Sequence, residues 1–312
     1  MLPKPHRKPV VPSRAGCGSV RAVLLRRSDA ARLALVLLTV AVAGVISQST
    51  RASMPGWPPA VDVGFGSDAL RDEIGLRVYL PPGYNTTAKR YPVVYFLHGL
   101  PASADAYKNT DFLRQAMTVL GRDAIVVAVQ GARDAEPDTE YLDSGEGRNW
   151  ETAVAVEVPH VVDAQFRTIP TRRGRAIIGL SAGGYGAMLL GLHHLSAFSA
   201  IESWSGYFHP TDPAGTSALD LGSPLKNARA SAHSSVTGLR RAFAREPTFL
   251  AFYVGAGDQR FRAENERFDR ELTTARVRHL FTIYPGGHIQ ALWTRRAAAW
   301  LALALDHLAR AA

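Results

Sequence analysis

Cysteine is almost missing from this sequence, because Cys17 is the only one among 312 residues and it lies near the N-terminus. The remainder of the chain can therefore form neither an internal disulfide bond nor a cysteine nucleophile. The near absence of cysteine is compatible with an oxidising compartment. Covalent chemistry in the main part of the chain would need another nucleophilic side chain.

Signatures of cofactor and metal enzymes are missing as well. The sequence has no phosphate-binding P-loop and no HExxH zinc motif. Gly255 and Gly257 lack the third glycine that would complete a dinucleotide-binding fingerprint. Internal repeats and low-complexity runs are also absent from the sequence. We therefore expect no cofactor and no metal.

Excess positive charge is confined to the N-terminal segment. Residues 1–32 carry eight Lys or Arg and one Asp, a net charge of +7, which leaves +2 of the chain's +9 for residues 33–312. A nucleic-acid-binding domain needs a basic face on its folded part. We therefore expect no nucleic-acid partner.

A long apolar run is missing too. The apolar run at residues 33–46 (LALVLLTVAVAGVI) has fourteen residues, whereas a membrane-spanning helix needs ~20. A basic region leading into a short apolar core is typical of a secretory signal, and small residues favour cleavage between residues 49 and 54. The alternative is an uncleaved N-terminal anchor at the membrane or cell envelope. In both cases we expect residues 1–52 to be a targeting segment and residues 53–312 to be an extracytoplasmic catalytic domain.

The most informative motif is GLSAGGYGA at residues 179–187, which follows a short apolar run. This is the G-x-S-x-G pattern of a nucleophile elbow, in which a strained Ser lies between a strand and a helix. The neighbours two positions away must be nearly free of side chain, and Gly179 and Gly183 meet that need. An ordinary glycine-rich turn is the alternative, so the prediction of Ser181 as nucleophile depends on an acid and then a His following in that order.

A His in suitable context follows near the C-terminus. In residues 280–293 (LFTIYPGGHIQALW) an apolar strand breaks at a Pro-Gly-Gly sequence and then presents His288. A His on a loop past a strand can reach a nucleophile on a neighbouring strand's loop, as a general base must. The alternative is a solvent-exposed loop His.

The acid is expected on the loop after the preceding strand, residues 249–254 (FLAFYV), and Asp258 lies there. Open α/β sheets place their sites at the carboxyl ends of strands, so Asp258 and His288 should meet. A turn-capping role is the alternative for Asp258. The competing acids recur at helical spacing, typical of a solvated helix face, and are Glu264, Glu266 and Asp269.

An oxyanion hole requires two backbone amides aimed at the oxygen that becomes charged. The amide of Ala182, directly after the nucleophile, is one candidate. The other should follow an early central strand, and residues 91–97 (YPVVYFL) fit that role and point to the amide of Leu100. We expect His98 to orient this loop through backbone contacts.

Strand-like apolar runs alternate with helix-length segments, which predicts a mostly parallel sheet covered by helices. The predicted strands are residues 75–80, 93–97, 124–129, 176–179, 198–202, 249–254 and 280–284. The predicted helices are residues 104–120, 151–166, 182–194, 264–275 and 289–309. Residues 206–247 are expected to form a lid or wall of the substrate pocket. The aromatic residues expected near that pocket, with ordinary core packing as the alternative, are Trp150, Trp204, Tyr207 and Phe208.

Three ordered stretches, residues 77–99, 177–190 and 284–293, resemble the serine esterase family of α/β-hydrolases. That family includes esterase D, feruloyl and enterochelin esterases and the mycolyltransferases. The resemblance covers residues from about 60 to 310 and implies an α/β fold class: a single α/β-hydrolase domain with helices on both faces of the sheet. The site that it implies consists of the nucleophile Ser181, the base His288, the acid Asp258 and the oxyanion amides of Leu100 and Ala182.

The resemblance implies an exported serine esterase that works through an acyl-enzyme. Water as the acceptor gives a hydrolase, whereas a sugar or lipid hydroxyl gives an acyltransferase, and both use the same site. A non-catalytic surface binding protein on this scaffold is a third alternative, because fold alone does not guarantee activity. The expected partner is a small-molecule, lipid or sugar ester.

Overall fold

The structure is a computed structural model that describes residues 56–136, 138–212 and 215–312. The predicted signal segment, its cleavage site and the alternative N-terminal anchor lie outside the described residues. Within those ranges, no helix combines the length and the apolar character needed to cross a membrane.

An eight-stranded sheet forms the centre of the described chain. Its strands are β1 (Val61–Ser67), β2 (Asp72–Tyr79), β3 (Val93–Leu97), β4 (Ile125–Val129), β5 (Arg175–Leu180), β6 (Ala200–Trp204), β7 (Phe249–Gly255) and β8 (Leu280–Tyr284). They are arranged in the order β1-β2-β4-β3-β5-β6-β7-β8. The pairs β1–β2 and β2–β4 are antiparallel, and the five remaining pairs are parallel. The predicted mostly parallel sheet is confirmed.

Helices cover both faces of this sheet. They are α1 (Asp111–Leu120), α2 (Trp150–Thr152), α3 (Val158–Gln165), α4 (Ala182–His193), α5 (Pro224–Arg229), α6 (Ala232–Arg245), α7 (Arg262–Thr274) and α8 (Gln290–Asp306). A single π-helical turn, Ala153–Glu157, joins α2 to α3. Apolar residues of α1 and α8 pack in one core, and those of α3, α4, α6 and α7 pack in the other.

Strand β3 illustrates why these sequences form buried parallel strands. All five residues of VVYFL are buried, and successive side chains enter opposite cores: Val94 and Phe96 one, Val93, Tyr95 and Leu97 the other. A strand covered by helices on both faces needs apolar residues at every position rather than at alternate ones. The continuous apolar run in the sequence is the consequence.

The main differences from the sequence-based prediction lie in three regions. Strand β1 is an edge strand with a largely exposed sequence, VDVGFGS, and therefore shows no apolar run. The first predicted helix begins at Asp111 rather than at residue 104, after a 3₁₀ turn at Ala106–Lys108. The segment expected to be a lid or wall contains two helices that were not predicted, α5 and α6.

Candidate active site

The turn between β5 and α4 has the geometry of a nucleophile elbow. Ser181 lies between the last residue of β5 and the first residue of α4, with φ 56° and ψ −121°, a backbone conformation that non-glycine residues rarely adopt. A Cβ atom on Gly179 would lie 1.8 Å from the carbonyl oxygen of Gly183, and one on Gly183 would lie 2.1 Å from that of Leu97. Both glycines are therefore required by the close packing of this turn.

The structure brings the three predicted side chains into one hydrogen-bonded chain. Nε2 of His288 lies 2.9 Å from Oγ of Ser181. Nδ1 of the same ring lies 2.8 Å from Oδ2 of Asp258. A carboxylate on Nδ1 favours the tautomer that carries its proton there, which leaves Nε2 able to accept the proton of the Ser hydroxyl.

Asp258 is fixed by its burial and by the backbone. Its exposed fraction is 1%, and Oδ1 accepts hydrogen bonds from the amides of Arg260 and Phe261, both at 3.2 Å. These bonds leave Oδ2 to contact His288. The carboxylate is held in one orientation before any substrate binds.

The loops that carry the acid and the His are tied together beyond the ends of β7 and β8. The amide of Gly257 donates to the carbonyl of Gly286, and the amide of Ala256 donates to that of Tyr284, both at 2.7 Å. Since β7 and β8 are parallel neighbours, their carboxyl ends lie at the same edge of the sheet as the elbow.

Two aromatic rings that sequence reasoning did not assign to the site hold the His288 ring from its sides. Phe261 and Trp293 contact it edge to face, with ring centroids 5.2 and 5.0 Å away. Nε1 of Trp293 donates to Oγ of the buried Ser205 at 3.0 Å. The position of Trp293 in the first turn after the His loop is the only sequence signal that points to it.

We call Ser181, His288 and Asp258 the candidate triad. A cleft of about 480 Å³ opens beside Ser181 and His288 of this triad. Its lining includes Leu100, Pro101, Asp138, Ser181, Tyr207, Thr211, Arg260, Phe261, His288 and Trp293. Of the four aromatic residues expected near the pocket, Tyr207 lines this cleft.

The other three expected pocket residues are not in the cleft lining but in the interior of the protein. Trp204 packs against Trp300 at a centroid distance of 5.0 Å, and Phe208 stacks on Phe268 at 4.2 Å. Trp150 is buried, and its Nε1 donates to Glu136 at 3.1 Å. For these three residues the alternative of core packing applies, because aromatic side chains next to a pocket segment are equally suited to it.

The candidate oxyanion residues flank the same cleft. Leu100 lines it, and Ala182 is the first residue of α4, so its amide has no carbonyl partner within that helix. His98 is buried and contacts the carbonyl of Gly99 through Nδ1, while Nε2 accepts from the amide of Gly131, each at 3.1 Å. Burial lowers the pKa of His98. The neutral ring therefore orients this loop through its two backbone contacts, as expected.

One buried acid that the sequence does not suggest supports the wall of the cleft. Both carboxyl oxygens of Glu140 accept from the hydroxyl of Tyr207 at 2.9 Å, and Oε1 also accepts from the amide of Thr211 at 3.0 Å. Burial raises the pKa of Glu140 to about 8. Glu140 lies in the long connection between β4 and α2, where the sequence has no periodic pattern to reveal its contacts.

The competing acids lie outside the triad. Glu266 is partly exposed and pairs with Arg262 at 2.9 Å, which fits the expected solvated face. Asp269 contacts His279 at 2.9 Å. Glu264 differs, because it is mostly buried and accepts from the amide of Phe208 at 2.8 Å. For Glu264 the prediction of a solvated position is wrong.

Comparison with known protein families identifies the family of this chain. The family model described as "Putative esterase" matches residues 67–303. The chain belongs to this esterase family. Esterase Rv1288 of Mycobacterium tuberculosis (strain ATCC 25618 / H37Rv) is 27% identical over 252 residues, which cover 72% of this chain and 54% of that relative. The chain thus spans about half the length of that relative.

A further relative and two solved structures are also similar to this chain. "Diacylglycerol acyltransferase/mycolyltransferase Ag85A" of Mycobacterium leprae (strain TN) is 25% identical over 205 residues, 64% of this chain and 59% of that protein. A solved ferulic acid esterase superposes with a TM-score of 0.68 at 23% identity and covers 80% of this chain and 97% of its own. An S-formylglutathione hydrolase from Agrobacterium tumefaciens gives a TM-score of 0.64 at 20% identity, with 80% and 95% covered. The fold of the esterase-family chain is therefore that of an α/β-hydrolase.

Proposed function

We propose that this chain is a serine carboxylic-ester hydrolase whose nucleophile is Ser181. The observation that carries the proposal is the continuous path of hydrogen bonds from Asp258 through His288 to Ser181. Membership of the esterase family supports the same reaction. The cleft beside the triad, about 480 Å³ in volume, suits a small-molecule ester.

The mechanism follows from the roles that this geometry gives to each group. Nε2 of His288 takes the proton of the Ser181 hydroxyl as Oγ attacks the ester carbonyl carbon. The carbonyl oxygen becomes negatively charged, and the amides of Leu100 and Ala182 donate hydrogen bonds to it. His288 then gives its proton to the departing alcohol, and the acyl group stays on Ser181.

Hydrolysis of the acyl-enzyme repeats these steps with water. His288 removes a proton from the water as its oxygen attacks the acyl carbon, and it returns the proton to Oγ of Ser181 when the acid departs. The carboxylate of Asp258 stabilises the imidazolium formed in both halves of the reaction.

A second candidate function is acyl transfer to a sugar or lipid hydroxyl. The similarity to the mycolyltransferase Ag85A of Mycobacterium leprae favours it. An acceptor hydroxyl would replace water in the second half of the reaction and use the same base. A non-catalytic surface role is less well supported, since binding alone does not require an aligned Ser, His and Asp.

We also propose that the catalytic part acts outside the cytoplasm. The support is the pattern of the sequence alone: a basic region followed by fourteen largely apolar residues and then small residues. Expression in a bacterial host, followed by N-terminal sequencing of the exported protein, tests this. A new N-terminus between residues 49 and 54 is expected, and retention of the full chain in the cytoplasm would contradict it.

Turnover of p-nitrophenyl esters of increasing acyl length, with and without sugar acceptors, tests the main proposal. Ser181→Ala should lower the turnover by about 10⁴-fold or more, because no covalent acyl-enzyme can form without the hydroxyl. Ser144→Ala, at an exposed loop serine, is the matched control and should leave turnover unchanged. Undiminished activity of Ser181→Ala would overturn the assignment of the nucleophile.

Mass spectrometry of the products separates the two candidate functions. Free acid in the presence and absence of acceptor indicates a hydrolase, and an acylated sugar indicates a transferase. The absence of any turnover by the wild-type protein would favour the non-catalytic alternative.

A further inference from the structure

A second cluster of His and acidic side chains lies away from the catalytic triad. Nδ1 of His209 is 2.5 Å from Oε1 of Glu264, and Nε2 of His233 is 3.3 Å from the same oxygen. Among the described residues, these three offer ligand atoms that all lie within 4.8 Å of one another. They come from the loop after β6, from the start of α6 and from the first turn of α7.

The ring of His233 is already oriented by a further carboxylate. Its Nδ1 lies 2.5 Å from Oε2 of Glu271, and Oε1 of Glu271 accepts from Nε of Arg267 at 2.8 Å. A carboxylate on the far nitrogen of an imidazole is the usual support of a metal-binding His, because it fixes the tautomer and directs the other nitrogen at the metal. Here that other nitrogen faces Glu264.

We propose that His209, His233 and Glu264 form a Zn²⁺ site, with Glu271 as the support of His233. Two imidazoles and one carboxylate are a common ligand set for zinc, and a water molecule would complete the tetrahedron. The side chain of His209 is about one-third exposed (34%), which gives water access to the fourth position. This proposal departs from the expectation of no metal that the sequence motifs suggested.

The ligand set favours zinc over Ca²⁺ or Mg²⁺. The adjacent groove, which His233 and Glu271 also line, carries Arg240, Arg241 and Arg270. Hard cations need several oxygen ligands, most of them carboxylates or carbonyls, and a single ligand carboxylate beside these arginines offers too little. Zinc gains from its direct bonds to imidazole nitrogen.

Two of the three separations between the ligand atoms lie within about 1 Å of those around a zinc ion, and the third, between the two imidazole nitrogens, is at most 4.8 Å. Ligand atoms about 2.1 Å from a tetrahedral zinc are about 3.4 Å apart. The distance from His233 to Glu264, 3.3 Å, already matches this value. His209 must move away from the Glu264 oxygen by about 1 Å, which its partly exposed side chain permits.

A zinc ion bound here would connect the wall of the cleft, through His209, to the segment that follows the loop of Asp258, through Glu264. His209 lies two residues after Tyr207, which lines the cleft, and Glu264 lies three residues after Phe261, which contacts His288. The amide of Phe208 already donates to Glu264 at 2.8 Å. Zinc would add bonds across the same junction, so its main effect should be on stability rather than on the chemical step.

Zinc titration of the untagged, full-length chain after removal of metal with a chelator tests the proposal. Isothermal titration should show one Zn²⁺ per chain, and saturating zinc should raise the Tm by several degrees. Mg²⁺ and Ca²⁺ should do neither. Replacement of zinc by Co²⁺ should give the visible absorption of a tetrahedral site.

Variants test whether the zinc ion binds at this cluster. His209→Gln should abolish the one-to-one binding, and Glu271→Gln should weaken it by about 10- to 100-fold because the support of His233 is lost. The matched control is His194→Gln: His194 and His193 both contact Glu151, at 3.0 and 2.9 Å. His193, His194 and Glu151 are also two His and one Glu. In the described part of the chain, however, only the cluster of His209, His233 and Glu264 has ligand atoms that all lie within 4.8 Å of one another.

Two results would overturn the proposal. The first is the absence of zinc binding to the wild-type chain, and the second is binding that survives His209→Gln or disappears in His194→Gln. His209 is the most exposed of the three ligands, so His209→Gln should fold even where a change of Glu264 does not. The outcome is independent of ester turnover, and it stands whether or not the proposed hydrolase activity is found.

Discussion

His288 and His233 are held in the same way but face different partners. A carboxylate contacts Nδ1 in both, Asp258 at 2.8 Å in the first and Glu271 at 2.5 Å in the second. Nε2 of His288 faces the hydroxyl of Ser181 at 2.9 Å, whereas Nε2 of His233 faces the carboxylate of Glu264 at 3.3 Å. A hydroxyl can give its proton to the ring, and an ionised carboxylate cannot. The first arrangement can activate a nucleophile, and the second can attract a cation.

The two carboxylates also differ in how firmly they are held. Asp258 is buried and bonded by two backbone amides on a loop at the end of a strand. Glu271 is partly exposed on a helix and shares its charge with Arg267. The general base proposed for the reaction needs one fixed orientation, and the carboxylate of Asp258, held by two backbone amides, favours one.

The largest expected difference in kcat is between two Asp→Asn variants, each of which removes the carboxylate that contacts a His. Asp258→Asn should lower kcat for a p-nitrophenyl ester by about 10⁴-fold, because His288 then loses the tautomer that it needs. Asp269→Asn removes the carboxylate from His279, a His outside the cleft, and should change kcat by less than about twofold. Steady-state kinetics of both purified variants check this.

Equal kinetics of the two Asp→Asn variants would contradict the role given to Asp258. A circular dichroism spectrum of each variant serves as the control for folding. Since Asp258 also accepts from two backbone amides, some loss of Tm is expected for its variant, but a loss of structure is not.

A smaller effect is expected at Glu140, a buried carboxyl without a His partner in the described part of the chain. Glu151, which does contact His side chains, is the comparison. Burial alone would raise the pKa of Glu151, but the hydrogen bonds from His193 and His194 outweigh burial and lower that pKa to about 2. Around Glu140, burial dominates, the charge of nearby Asp138 adds to it, and hydrogen bonds from Thr211 and Tyr207 oppose it only in part, so its pKa rises to about 8.

Glu140 should therefore make the folded state less stable as the pH rises. Between its ordinary pKa of 4.5 and its raised pKa of about 8, the folded state binds a proton that the unfolded state has released. The free energy of unfolding then falls with rising pH by up to about 1.4 kcal/mol per pH unit. Glu140→Gln keeps the shape of the neutral carboxyl and removes this dependence.

Urea unfolding at pH 5 and pH 8 measures the effect. The wild-type chain should lose more stability than Glu140→Gln over this interval, and Glu146→Gln, at an exposed glutamate, should behave as the wild type. An identical pH dependence of the wild type and Glu140→Gln would show that Glu140 is ionised throughout.

The hydrogen-bonded arrangement of Ser181, His288 and Asp258 could be predicted from the sequence because each of these residues is marked locally. Glycines flank Ser181, and Asp258 and His288 each follow an apolar run that ends in glycines. Backbone geometry at the ends of buried strands thus leaves a pattern within about ten residues. The parallel order of β5, β7 and β8 then brings the three loops to one edge.

Contacts between distant loops left no such pattern. Glu140 reaches Tyr207 across 67 positions, and His209 reaches Glu264 across 55. Neither pair is marked by spacing or by neighbouring residues, so tertiary packing alone brings these side chains together. The same reasoning explains why Trp204 and Phe208, which lie close to the pocket in sequence, belong to the core instead.

Helix α6 shows a different kind of failure. Its buried residues Ala232, Val236 and Leu239 recur at helical spacing. The surrounding Ser, Thr and Gly residues lower its helix propensity, so that the segment has the composition of a loop. Packing of its apolar face against the core decides the structure over local preference.

The central claim is that His288 activates Ser181, and active-site labelling tests it most directly. A fluorophosphonate should add one phosphonyl group per chain, and peptide mapping by mass spectrometry should locate it on Ser181. Labelling should be abolished in Ser181→Ala and much slower in Asp258→Asn, but unchanged in Asp269→Asn. Labelling of another residue, or continued ester turnover by a chain that does not react at Ser181, would contradict the account.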